Sequence, residues 1–164
     1  SESGLILDGT LAMNSQQFRD LWALREYISE SISMLGNVHK NDIAVPIGSM
    51  PDFVRQLEKT IVEKYNRFEV LLFGHIGDGN IHVNVIDRSR MPWNEFLPVT
   101  EELDNAMCEL IRSFGGSVSA EHGIGLLKRR LLKMQRSPQE IEWMKRIKHS
   151  IDPNNIFNPG KIIE

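Results

Sequence analysis

FEVLLFGHIGDGNIHVNVI, residues 68–86, consists of two runs rich in apolar and β-branched side chains, joined by Asp78-Gly79. Asp-Gly between such runs signals a hairpin, because a type I′ turn needs φ > 0 at both central residues. With Asp78-Gly79 as a two-residue loop, Gly77 faces Asn80, Ile76 faces Ile81 and His75 faces His82. Opposed residues share a face, their Cβ atoms about 4.5–5.5 Å apart. Alternation then sets Leu71, Phe73, His75, His82, Asn84 and Ile86 on one face. Leu72, Gly74, Ile76, Ile81, Val83 and Val85 form the other, which is wholly apolar. One face is built for a core. The other gathers two imidazoles and an amide, a geometry that suits a metal ion. The plainer alternative is a pair of hydrogen-bonded histidines near a turn.

Outward from the hairpin, the pattern predicts further elements. Upstream, Ser49 caps a helix with Pro51 in its first turn and a stripe of Val54, Leu57, Ile61 and Tyr65. Before it, residues 41–47 read as a strand in which Ile43, Val45 and Ile47 alternate. A long helix is expected over residues 15–35, opened by an Asn14/Gln17 capping box and closed by Gly36. Its inward stripe is Phe18, Leu21, Trp22, Ile28, Ile32 and Leu35, with Arg25 in the slot between Trp22 and Ile28. That arginine either packs its stem and sends its head to water, or aims its guanidinium into a site. Leu5-Ile6-Leu7 is a short strand candidate.

Downstream, residues 87–98 read as a surface loop. Pro98 opens a helix with Leu103, Ala106, Met107, Leu110 and Phe114 inward, ended by Gly115-Gly116. Residues 117–121 read as a strand, and residues 126–135 as a basic helix; Lys128, Arg129, Arg130, Lys133 and Arg136 make a solvated face or meet an acidic or phosphate partner. Ser137-Pro138-Gln139-Glu140 starts a last helix, stopped at Asp152-Pro153. From residue 41 the order is β-α-β-β-α-β, the ferredoxin-like split motif. The expected fold is therefore α+β, a mainly antiparallel sheet with helices on one face, followed by C-terminal helices.

The 164 residues suffice for one domain with a core, and the net charge of −3 argues against a nucleic-acid or polybasic membrane surface. A single cysteine, Cys108, excludes an internal disulfide. No apolar run approaches the roughly 20 residues of a membrane span. The chain starts at Ser1 without methionine, as an excised piece of a longer protein would.

A metal on His75 and His82 needs a third protein ligand. Alternation over residues 117–121 turns Val118 and Ala120 to the helices and Ser117, Ser119 and Glu121 to the histidine side, so Glu121 is the candidate and His122 follows it. In a plain ferredoxin-like sheet, however, the last strand ends at the edge opposite the hairpin turn. That places Glu121 too far from His75. Either further strands alter the geometry or Glu121 is not a ligand.

Three stretches in order carry a family resemblance: GHIGDGNIH at 74–82, SAEHGIG at 119–125 and DPNNIFNPGK at 152–161. With LWALRE at 21–26 and KNDIAVP at 40–46, they resemble the C-terminal region of FAD-linked D-2-hydroxyacid dehydrogenases, which include D-lactate dehydrogenases and the glycolate oxidase flavin subunit. The nearest branch acts on D-2-hydroxyglutarate. The resemblance implies that an N-terminal domain, of which nothing here is a likeness, supplies most FAD contacts, and that residues 1–164 are the substrate- and metal-binding cap. It implies His75, His82 and Glu121 as divalent-metal ligands and His122 as the base for the substrate hydroxyl. It implies Arg25 and Lys40 as carboxylate-binding cations, with Ser29 and Asn84 beside the substrate. Asn158 falls in the terminal motif that approaches the flavin.

These roles are chemically coherent. A metal on the hydroxyl oxygen lowers its pKa, and a neutral imidazole accepts its proton. Zinc is the default for a His/His/Glu set, while manganese or iron tolerates it. The expected function is oxidation of a D-2-hydroxy acid by flavin, in the cytoplasm or the mitochondrial matrix. Expected partners are the small hydroxy acid and the FAD-binding domain, with no nucleic acid and no transmembrane segment. Self-association to a homo-oligomer through an uncovered histidine face is also expected. The rivals are a hydrolase whose His75/His82/Glu121 metal activates water and a non-catalytic metal-binding domain.

Overall fold

A computed structural model describes residues 4–5 and 7–163. The chain divides into two compact units, Ser1–Leu35 and Gly36–Glu164. In the first unit, Ile6 of the Leu5-Ile6-Leu7 strand candidate lies outside the described residues, and Leu5 and Leu7 are not in a strand. Helix α1 spans Ser15–Glu26 and α2 spans Ile28–Ser33, so the single helix expected over 15–35 is interrupted at Tyr27. Beyond the break the sequence is Ile-Ser-Glu-Ser-Ile-Ser, mostly residues of modest helix propensity. Asn14 caps α1 as expected, its side chain accepting the Gln17 N–H. The expected inward stripe is not buried on α1: Phe18, Leu21 and Trp22 are all exposed.

The second unit is α+β. Strand β1 (Asn37–Ala44), helix α3 (Met50–Lys64), strand β2 (Glu69–His75), strand β3 (Asn80–Asp87) and helix α4 (Trp93–Ser113) follow one another. They form an antiparallel sheet in the order β1-β3-β2. Helices α5 (Arg129–Gln135) and α6 (Pro138–Ile151) complete it. The fourth strand of the split motif survives only as an antiparallel bridge from Ser117 to Ala44, on the outer side of β1. The spatial order is thus that of the ferredoxin-like motif with its last strand cut short.

Ile81, Val83 and Val85 of the central strand and Ile43 of β1 pack against Phe53, Leu57 and Ile61 of α3 and Phe96, Leu103, Met107 and Ile111 of α4. Both helices therefore cover the apolar face, as its composition requires. Polar residues of β1 on that face are satisfied locally. Asp104 of α4 sits 2.7 Å from His39 Nε2 and accepts from Asn41 Nδ2 at 2.9 Å.

Several boundaries differ from the sequence reading. β1 starts at Asn37 and ends before Pro46, because Asn37, Val38, His39 and Lys40 pair with the far half of β3. Ile47 is instead in a short 3-10 turn, Ile47–Ser49. α4 begins at Trp93 rather than Pro98, which lies inside it; burial of Phe96 outweighs the lost hydrogen bond. α5 begins at Arg129, three residues later than expected. α6 has the full Ser137/Glu140 capping box.

The hairpin loop is also longer. His75 pairs with Asn80 and Phe73 with His82, leaving residues 76–79 as a four-residue turn. Only Gly79 has positive φ (+78°) there. Asp78 does not enter the left-handed region; its carboxylate accepts the Asn80 N–H at 3.0 Å, and Gly79 N–H bonds back to His75 O. The longer loop slips the register by two residues. Because side chains repeat every two residues, every side chain keeps its face.

Candidate functional site

The β1-β3-β2 register assembles one polar face. His82 lies between Asp42 and Phe73, and Asn84 lies between Lys40 and Leu71. His75 is two residues along from Phe73 on the same side. The His75 and His82 rings are 5.5 Å apart, centroid to centroid, nearly perpendicular. His82 also packs on Phe73 at 4.9 Å and lies 6.0 Å from the His122 ring. Three imidazoles thus converge; the sequence put His75 and His82 on one face, where they lie without being directly opposed, while His122 arrives from a segment expected too far away. The Asn84 amide donates to Leu71 O and His82 O, which fixes it in the sheet.

Glu121 reaches this face. Its Oε1 is 3.3 Å from His75 Nδ1, so the expectation that Glu121 lies too far away fails. After Val118, which is buried, alternation stops and Ala120 is exposed. The Asp42 carboxylate accepts the N–H groups of Glu121 (2.8 Å) and His122 (2.9 Å), drawing the chain over the histidine face instead of along the sheet edge. Asp78 of the hairpin turn comes to 3.5 Å from His75 Nδ1. One ligand atom each from His75, Asp78 and Glu121 lies within 4.8 Å of the others.

The electrostatics suit a cation. Burial pushes the His82 imidazole below its ordinary pKa; Asp42 acts against this, and His75 and His122 add to it. A lowered pKa favours the neutral imidazole, the form that binds a metal. Burial acts to raise the Asp42 carboxyl, but the N–H groups of His122 and Glu121 outweigh it, with help from His122 and Lys128, and hold it below the usual range. Lys128 was expected on a basic surface. Instead its ammonium donates to Asp42 O (3.0 Å) and Val118 O (2.8 Å). Burial lowers its pKa, against the pull of Asp42 and Asp104.

The remaining residues are distributed as follows. Lys40 is exposed on the histidine face, across from Asn84. Arg25 and Ser29 belong to the first unit, where the Arg25 guanidinium lies over the Trp22 ring at 5.5 Å. Asn158 has φ +48° in the turn after α6 and accepts from Lys161 Nζ at 3.1 Å. That turn is tied to the loop following His122 by the bond from Ile162 N–H to Gly125 O (2.8 Å).

The histidine face, the Glu121-His122 crossing and the tethered terminal turn are the three motif regions of the sequence, now in one unit. Residues 1–162 match the family described as FAD linked oxidases, C-terminal domain. The chain belongs to this family. Among its relatives are a D-2-hydroxyglutarate dehydrogenase of Stutzerimonas stutzeri, 45% identical over 98% of this chain, and one of Xanthomonas citri pv. viticola, 39% identical over 99%. A mitochondrial D-2-hydroxyglutarate dehydrogenase of Bos taurus is 35% identical over 99% of the chain. The chain spans about a third of these relatives' lengths: 34%, 34% and 28%. No helix among the described residues is long and apolar enough to cross a membrane.

Sequence reasoning missed Asp42 and Lys128 within this FAD-linked oxidase domain. Asp42 was quoted in a motif but given no role. Alternation over residues 41–47, with Ile43, Val45 and Ile47 on one face, puts Asp42 on the other, so its position was recoverable. Lys128 lies 86 residues from Asp42, and nothing local marks that contact.

Proposed function

We propose that this chain is the substrate- and metal-binding half of a flavin-dependent dehydrogenase that oxidises a D-2-hydroxy acid, D-2-hydroxyglutarate or D-lactate, to the 2-oxo acid. The carrying observation is the convergence of His75, His82, Glu121 and His122 on one sheet face in a chain of the FAD-linked oxidase family. Names of the relatives support the substrate class. Bound FAD would supply the hydride acceptor for the substrate's C2–H, with most of its contacts from a further domain.

The donor set fits a divalent ion: the His75 imidazole already faces the Glu121 and Asp78 carboxylates, and the half-buried His82 ring stands 5.5 Å from that of His75. His75, His82 and Glu121 would hold it, and zinc suits that nitrogen-rich set. Such an ion would acidify the substrate hydroxyl and stabilise negative charge developing on its oxygen. His122, exposed beside His82, takes the hydroxyl proton. The family resemblance assigns Arg25 and Lys40 to the substrate carboxylate and Ser29 and Asn84 to polar contacts with the substrate. Fixing the acid this way aligns its C2–H and supplies part of the barrier reduction. The Asn158 turn offers the flavin a contact from this half. The histidine face, when uncovered, promotes self-association.

A hydrolase built on the same ligands leaves the family match unexplained. The test is the full-length protein. Its visible spectrum should show bound flavin, and anaerobic addition of D-2-hydroxyglutarate or D-lactate should bleach it. A colourless protein that hydrolyses esters or amides in a metal-dependent way would favour the hydrolase.

A further inference from the structure

Asp42 has no part in the ligand or substrate roles above, yet it touches both halves of the site. It is 1% exposed and divides its work between two oxygens. Oδ2 accepts the N–H groups of Glu121 and His122. Oδ1 is buried, has no hydrogen-bond partner among the described residues, and faces His82 Nδ1 at 3.7 Å. At 3.7 Å this is a contact rather than a hydrogen bond, and because a buried carboxylate oxygen without a donor is costly, a proton on the facing His82 nitrogen lowers that cost. The pairing is not accidental, because Asp42 and His82 are directly opposed across β1 and β3. Lys128 fixes the same point from behind by bonding the Asp42 and Val118 carbonyls.

A carboxylate only accepts, so the ring nitrogen that faces it must carry the proton. The lone pair then resides on Nε2, the nitrogen turned away from Asp42. We propose that Asp42 is the positioning residue of this site: Oδ2 anchors the Glu121-His122 backbone, and Oδ1 holds His82 protonated at Nδ1, so that Nε2 is presented to a divalent cation. The proposal rests on the metal reading above. Carboxylates behind metal-bound imidazoles act this way in general, fixing tautomer and ring orientation.

Asp42→Asn separates this role from simple packing. The amide keeps the shape, and its one oxygen can still accept from Glu121 and His122. Its NH2 then faces His82 Nδ1 and, as a donor, favours the tautomer with the proton on Nε2. In the full-length flavoprotein, Zn2+ affinity measured by competition with a chelator should fall about 10–100-fold, with the flavin spectrum retained. Unchanged Zn2+ affinity in a folded Asp42→Asn protein would overturn the proposal. A second measurement needs no variant: 15N-histidine NMR of the metal-free wild-type enzyme should show His82 protonated at Nδ1. A proton on Nε2 overturns the role of Asp42 even if the variant does not fold. Failure of the wild-type enzyme to bind Zn2+ would count against the metal reading, and the His82 tautomer would then decide the role of Asp42 by itself.

Discussion

At the residue scale, the proposed roles put binding and proton transfer on different side chains, which should separate in kinetics. Arg25→Ala and Lys40→Ala in the full-length enzyme should mainly weaken binding of the hydroxy acid. His122→Asn should slow flavin reduction while substrate affinity stays within about tenfold, roughly 1.4 kcal/mol. Stopped-flow reduction at the wild-type rate in His122→Asn would place the base elsewhere. Lys128 makes a different prediction, since it touches no substrate. Lys128→Met strips the donors from Asp42 O and Val118 O and should cost on the order of 1–3 kcal/mol, read as a lower denaturant midpoint. A midpoint unchanged from wild type would show those carbonyls find water instead. The polar residues of the hairpin were legible because alternation alone decides their face. The bond from Lys128 to the Asp42 carbonyl was not, because burial of an ammonium depends on where distant segments meet.

At the scale of elements, the hairpin shows what the pattern could and could not carry. The Asp78-Gly79 signal located the turn, and the two-residue repeat gave the faces. Loop length was not legible: the competing contact, the Asp78 side chain on the Asn80 N–H, is a matter of turn geometry that either loop sequence allows. Gly79 has no freedom to change. Its φ is +78°, its carbonyl accepts the Val45 N–H, and a Cβ there would overlap the Val45 carbonyl oxygen. Gly79→Ala should destabilise by about 2–4 kcal/mol. A melting temperature unchanged within a degree would contradict this packing of turn against β1.

The last helix carries a pH prediction. The Lys148 ammonium holds the Asp152 carboxyl below its ordinary value of 3.8; burial opposes this, and the N–H groups of Ile156 and Phe157 add to it. A carboxyl with a lowered folded-state pKa contributes stability that is fully present above the unfolded value and is lost as pH falls through the folded one. Amide exchange at 156 and 157, corrected for intrinsic rates, should stay protected above about pH 4 and lose protection below it. In Asp152→Ala the same amides should exchange freely at neutral pH. The capping box of α6 was read directly from Ser137 and Glu140, whereas this C-terminal clasp was seen only as a stop at Asp152-Pro153.

At the scale of the whole molecule, the α+β fold and the order of its strands were legible from periodicity. The early end of the fourth strand was not, because Asp42 captures the chain through backbone groups that every sequence shares. Neither Asn158 nor Lys161 offers enough contact to fix a ligand as large as FAD, since ordering it costs several kcal/mol before any gain. Residues 1–164 prepared separately should therefore be colourless and fail to reduce dye with D-2-hydroxyglutarate or D-lactate. A yellow preparation with turnover would place the flavin site within this chain. This sheet face is proposed to hold a catalytic metal. Elemental analysis of the full-length flavoprotein tests it most directly: about one divalent ion per chain in the wild type, lost in His82→Ala, is the predicted result, and metal content unchanged by that substitution would contradict it.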